Sequence, residues 1–224
     1  MSRIHRIACI APFAAGIALA LTATATARAQ NLLTNPSFED GITSWSFTGN
    51  DGVTPYATYN QFGGTGNTGA FTATFGNQFA AFNGGNTAPN GVVSQTFATT
   101  PGTSYLVTFY YGDFSISGAN TQSITASAIS GATTLGSVTV TDSPTGNQTD
   151  YPTILRTAST FSFAANAATT TLSFADGLAS QTGGADGFLD NISVVAVVPE
   201  SGTVFLLSAG IVAGIGITAR RRRT

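Results

Sequence analysis

Carboxylates make up nearly the whole chemical repertoire of the segment between Gln30 and Val197. It carries Glu39, Asp40, Asp51, Asp113, Asp142, Asp150, Asp176, Asp186 and Asp190 against the single base Arg156, a net charge near −8. The histidine, cysteine and methionine of the chain (His5, Cys9 and Met1) all precede that segment, and lysine is absent throughout. A Ser-His-Asp triad, a thiol nucleophile, a zinc cluster and a Schiff base are therefore excluded from it. Two carboxylates at a suitable separation can hydrolyse a glycoside. Here the acids are few, scattered and mostly beside turn residues, so no catalytic residue is expected. A carboxylate-based glycoside hydrolase is the minor alternative. The acidity also argues against a phosphate-neutralising surface, and no glycine-rich loop leads from a strand into a helix, so nucleic acid and nucleotides are not expected partners.

What remains is recognition without catalysis. Sugar binding needs exposed aromatic faces that stack on pyranose C–H groups, with amides and carboxylates around them. Tyr110 is the first candidate, because it lies on the polar face of its strand. Tyr56 and Tyr59, in a long loop, come next. Trp45 is expected to pack inside, as large aromatics usually do.

The elements that must position these residues read as strands and turns. From Thr103 to Gly112 the residues Tyr105, Val107, Phe109 and Tyr111 share one face, while Ser104, Leu106, Thr108 and Tyr110 share the other. Such alternation packs one side and leaves the other to water. Similar runs are Leu32-Thr34, Trp45-Thr48, Phe71-Phe75, Gln78-Phe82, Val92-Ala98, Ser123-Ile129, Ser137-Thr141, Ser159-Ala164, Thr169-Phe174 and Phe188-Val197. Turn signals separate them, at Gly63-Gly64, Asn83-Gly84-Gly85, Pro101-Gly102, Ser143-Pro144-Thr145-Gly146 and Gly183-Gly184. Asp186-Gly187 reads as a further turn, and residues 49–70 as the longest loop. No stretch repeats apolar residues at helical spacing, and no internal repeat marks a solenoid. Sixteen Phe and six Tyr are too many for a disordered chain. The expectation is an all-β antiparallel sandwich over residues 30–197.

Both ends read as processing signals. Arg3, His5 and Arg6 precede an apolar run from Ile7 to Leu21, and Ala27-Arg28-Ala29 forms a small-x-small exit. Residues 1–29 are thus expected to be a signal peptide handled by the Sec machinery and signal peptidase, with an uncleaved anchor as the alternative. Thr203 to Ala219 is an uncharged run of 17 residues, followed by Arg220, Arg221, Arg222 and Arg223. A helix of that length spans roughly 25 Å, just short of a bilayer core, and the arginine block keeps its end cytoplasmic. The tail is therefore expected to cross the inner membrane with the domain on the periplasmic side.

Two resemblances bear on these readings. Val198-Pro199-Glu200, a short spacer, the apolar tail and the arginine cluster resemble the PEP-CTERM sorting signal of exopolysaccharide-producing Gram-negative bacteria, here over residues 198–224. Ser201 stands where that motif usually has its second proline. The resemblance implies an exosortase-type partner and a final place at the cell surface or in the extracellular matrix. The second resemblance joins Asn31-Leu32-Leu33-Thr34-Asn35-Pro36-Ser37-Phe38-Glu39-Asp40-Gly41, then Val93-Ser94-Gln95-Thr96-Phe97 and Pro101-Gly102-Thr103-Ser104-Tyr105, and finally Leu189-Asp190-Asn191-Ile192-Ser193-Val194. In that order they resemble galactose-binding-like and carbohydrate-binding-module jelly rolls. That likeness implies a structural calcium held by Glu39 and Asp190, with bonds to turn backbone amides as the alternative role of the two acids, and binding of extracellular polysaccharide, in keeping with an exopolysaccharide or biofilm role. A structural or adhesive matrix protein without a specific ligand is the alternative.

Overall fold

The computed structural model describes residues 30–55, 75–82, 88–115, 121–143, 155, 158–177 and 185–197. Residues 1–29, read above as a signal peptide, Val198-Pro199-Glu200, read as a sorting motif, the apolar run to Ala219, Arg220 to Arg223, Tyr56 and Tyr59 lie outside these residues. Among the described residues no helix is long and apolar enough to cross a membrane.

The described residues form ten strands: β1 Ser46–Thr48, β2 Asp51–Pro55, β3 Gln78–Phe82, β4 Val92–Ala98, β5 Ser104–Ser115, β6 Gln122–Ser130, β7 Thr133–Asp142, β8 Ala158–Ala164, β9 Thr169–Asp176 and β10 Ala185–Ala196. All pairings are antiparallel. They build two five-stranded sheets, sheet I in the order β1-β4-β9-β6-β7 and sheet II in the order β2-β3-β10-β5-β8. The chain passes repeatedly from one sheet to the other, which makes the architecture a jelly-roll sandwich.

Alternation explains the layering. Val93 and Phe97 of β4, Ile124 and Ala126 of β6, and Leu172 and Phe174 of β9 point inward from sheet I. Tyr105, Val107, Phe109 and Tyr111 of β5 meet them from sheet II, with Phe161, Phe163 and Val194. Trp45 sits in this core as expected, its ring against Phe38 at 5.1 Å and Phe174 at 6.5 Å. The outward face of sheet I is hydroxylated. Ser46, Ser94, Ser173, Ser127 and Ser137 stand in register across all five strands, with Thr96–Thr171 and Thr125–Thr139 side-chain hydrogen bonds beside the row.

The structure corrects three local readings. Leu32-Thr34 is not a strand; Leu32 donates one backbone bond to Val194, and Thr34 is held by the side chain of buried Gln95. Residues 51–55, read as loop, form edge strand β2. Asp186-Gly187 is not a turn but the second and third residues of β10, paired with Phe114 and Asp113. The outer face of β5 is also drier than alternation implies, because Phe114 lies in a second apolar cluster with Phe79, Ala81, Leu155 and Phe188.

Candidate functional site

The opening segment is folded by its own side chains. Asn35 adopts φ +52°, donates to the carbonyls of Gly41 and Thr43, and accepts from the Asp40 amide. Trp45 closes the loop by donating from Nε1 to the Asn35 carbonyl at 2.9 Å. Phe38 is forced to φ +57°, a strained region for a residue with a ring, and is over-determined by complete burial of that ring. Asn31 then ties the segment to β10, its amide bonding the Ile192 carbonyl and its oxygen accepting the Val194 amide, both at 2.9 Å. The β10 register slips between Asp190 and Ser193, and Asn191 at φ +48° marks the bulge. Opening and closing motifs thus meet in space.

Their acids meet with them. Glu39 Oε1 accepts the amides of Asn77 at 2.7 Å and Gln78 at 2.8 Å, while Gln78 returns a bond to the Glu39 carbonyl. Gly76 allows this approach: it sits at φ +114°, where a Cβ would overlap the Glu39 carboxylate. The same link places Phe75 over Tyr110, with ring centroids 4.5 Å apart. Tyr110 is half-buried and stands directly opposite Asp190 in the β5–β10 register. Asp190 is fully buried and accepts the Asn191 amide at 2.6 Å. Burial pushes its carboxyl up to about 8, and the charge of Glu39 adds to that, against the pull of the Asn191 amide. Glu39, Asp190 and Tyr110 therefore gather at one place on the outer face of sheet II. Beyond Tyr110 that face turns polar, through Thr108 and Ser193 and then the exposed Thr160 and Ser162.

Phe75 was legible only as the end of a strand, and its role over Tyr110 had no signal in the sequence. A second group of acids was missed altogether. Asp51, Asp113, Asp142 and Asp176 point inward from the strand ends at one pole of the sandwich, two from each sheet. Asp51 is pushed up to about 6, chiefly by burial and also by the charge of Asp176, while the backbone amides of Thr48, Asp51 and Val92 pull it down. The described residues contain no arginine, lysine or histidine.

No family model matches the sequence, and no curated protein does either. Solved structures with a similar arrangement include a CBM61 module in complex with beta-1,4-galactotriose, at 18% identity and TM-score 0.45, covering 75% of this chain and 99% of that one. The CBM22-1 xylan-binding domain from Paenibacillus barcinonensis is 17% identical with TM-score 0.42, covering 78% and 99%. The adhesin domain of Lys-gingipain from Porphyromonas gingivalis is 15% identical with TM-score 0.43, covering 72% and 96%. These likenesses add nothing to what the strand pairing establishes.

Proposed function

We propose that the chain is an exported, non-catalytic polysaccharide-binding protein whose ligand lies on the outer face of sheet II at Tyr110. The observation that carries this is the Phe75–Tyr110 ring pair beside the Glu39–Asp190 carboxylates, opening onto a strip of hydroxyls at Thr108, Thr160, Ser162 and Ser193. An aromatic edge, the exposed Glu39 and hydroxyls are the parts that sugar recognition uses, and the neutral strip suits an uncharged chain of hydroxyl-rich units. Export by Sec, a transient inner-membrane stage, exosortase processing at Val198-Pro199-Glu200 and association with the producing cell's exopolysaccharide belong to the same proposal, supported by the end sequences.

Calcium is part of this proposal. Glu39 and Asp190 suit it, since both are hard oxygen donors, they lie close enough to repel, and Asp190 is buried. Each also accepts a backbone amide, and among the described residues no third acid, histidine or cysteine joins them, so the remaining ligands would be neutral oxygens. The ion would supply the countercharge that lets Asp190 ionise. These side chains would hold the opening loop on β10.

A second reading is favoured by the serine row on sheet I: a matrix protein whose uncharged hydroxyl face is simply hydrated. A glycan array separates the two. Polysaccharide binding that disappears in Tyr110→Ala, with the fold intact by circular dichroism, supports the first. Absence of binding across the array, in wild type as in variant, refutes it in favour of the second.

A further inference from the structure

We infer that the acidic pole of the sandwich holds a divalent cation of the calcium class between Asp113 of sheet II and Asp142 of sheet I, as a clamp between the sheets. This site is separate from Glu39–Asp190. Asp190 shares the outer face of sheet II with Tyr110, whereas Asp113 follows Tyr105, Val107, Phe109 and Tyr111 on the inner one.

Alternation brings the donors together. Asp113 and Ser115 end the inward row of β5, Gln122 begins the inward row of β6, and Asp142 ends that of β7, directly opposite Gln122. Two hydrogen bonds cross between the sheets there. The Asp113 amide donates to Asp142 Oδ2 at 3.0 Å, and Gln122 Nε2 donates to the Ala185 carbonyl at 3.3 Å.

The Asp113 side chain itself points to a ligand. It has no exposed surface, and neither of its carboxylate oxygens accepts a hydrogen bond. A buried carboxylate in that condition is costly unless a cation or a proton meets it. No base is present among the described residues, and Asp142 and Asp186 both add negative charge. With no cation bound, burial and these two neighbours push Asp113 up to about 7.

The donor chemistry selects the ion. Oxygen ligands without histidine or thiolate favour calcium or magnesium over zinc. Among the described residues no third acid converges, so the shell is completed by neutral oxygens, and fully buried Ser115 and Gln122 stand on the same rim. Two charged ligands place the affinity in the range of extracellular modules, roughly 10⁻⁴–10⁻³ M.

The test is calorimetric titration of the purified, chelator-stripped chain with calcium chloride at pH 7.5. The parent for the titration is Glu39→Gln/Asp190→Asn, which silences the other site. It should still bind one calcium per chain, and adding Asp113→Asn or, separately, Asp142→Asn should weaken that binding at least tenfold. Asparagine keeps the shape of aspartate, and circular dichroism reports the fold of each variant; should one fail to fold, the other decides. A parent that binds no calcium, or folded Asn variants that bind as tightly as the parent, overturns the inference.

Discussion

Replacing Asp51 by Asn should stabilise the protein progressively as pH rises. The unfolded carboxyl ionises near 3.8, while burial and the Asp176 charge delay ionisation in the fold until about 6. The folded state therefore holds the proton more tightly. Its stability is undiminished by this group below the unfolded value, falls as pH climbs from about 4 to 6, and is level above about 7. A displacement of about 2 pH units corresponds to about 3 kcal/mol, which partial solvent exposure of Asp51 reduces to about 2. Asparagine does not titrate, so it removes the slope. Any change it makes in local packing shifts the whole curve without tilting it. Urea unfolding at pH 4, 5, 6 and 7.5, in chelator and at constant ionic strength, measures the difference between variant and wild type. It should move by about 2 kcal/mol in the variant's favour across that range. A difference that stays flat, or tilts the other way, refutes the electrostatic reasoning for this pole.

Three further outcomes are expected. Phe174→Ala empties a fully buried site between Trp45 and Phe109 and should cost about 3–5 kcal/mol in denaturant unfolding. Asn31→Ala removes the bonds to Ile192 and Val194, leaving a β10 amide and carbonyl unpaired, and should cost about 2 kcal/mol by the same assay. Calcium at millimolar concentration should raise the melting temperature of wild type more than that of Asp190→Asn; an equal rise in both removes Asp190 from the ligand set.

The strands were legible where alternation was clean. Gln78–Phe82 and Val92–Ala98 fall where their apolar residues place them. Strand β2 was hidden because Asp51-Gly52-Val53-Thr54-Pro55 has one apolar residue among turn formers, a composition that only a sheet edge tolerates. Asp186-Gly187 misled for the opposite reason. Its local turn preference is overridden by pairing along β5, and Gly187 is needed there because a Cβ would overlap the Tyr111 hydroxyl. Glu39 and Asp190 were visible through the motifs that contain them. The Phe75–Tyr110 pair and the Asp113–Asp142 pole were not, because each joins residues whose proximity exists only after distant strands have found their partners.

Binding of neutral polysaccharide by the face around Tyr110 is a proposal open to direct assay. Affinity electrophoresis through native gels cast with the producing cell's own exopolysaccharide tests it most directly. Wild type should be retarded in proportion to polysaccharide concentration, and folded Tyr110→Ala should run as it does in a plain gel. Equal retardation of both proteins, or none of either, would contradict it.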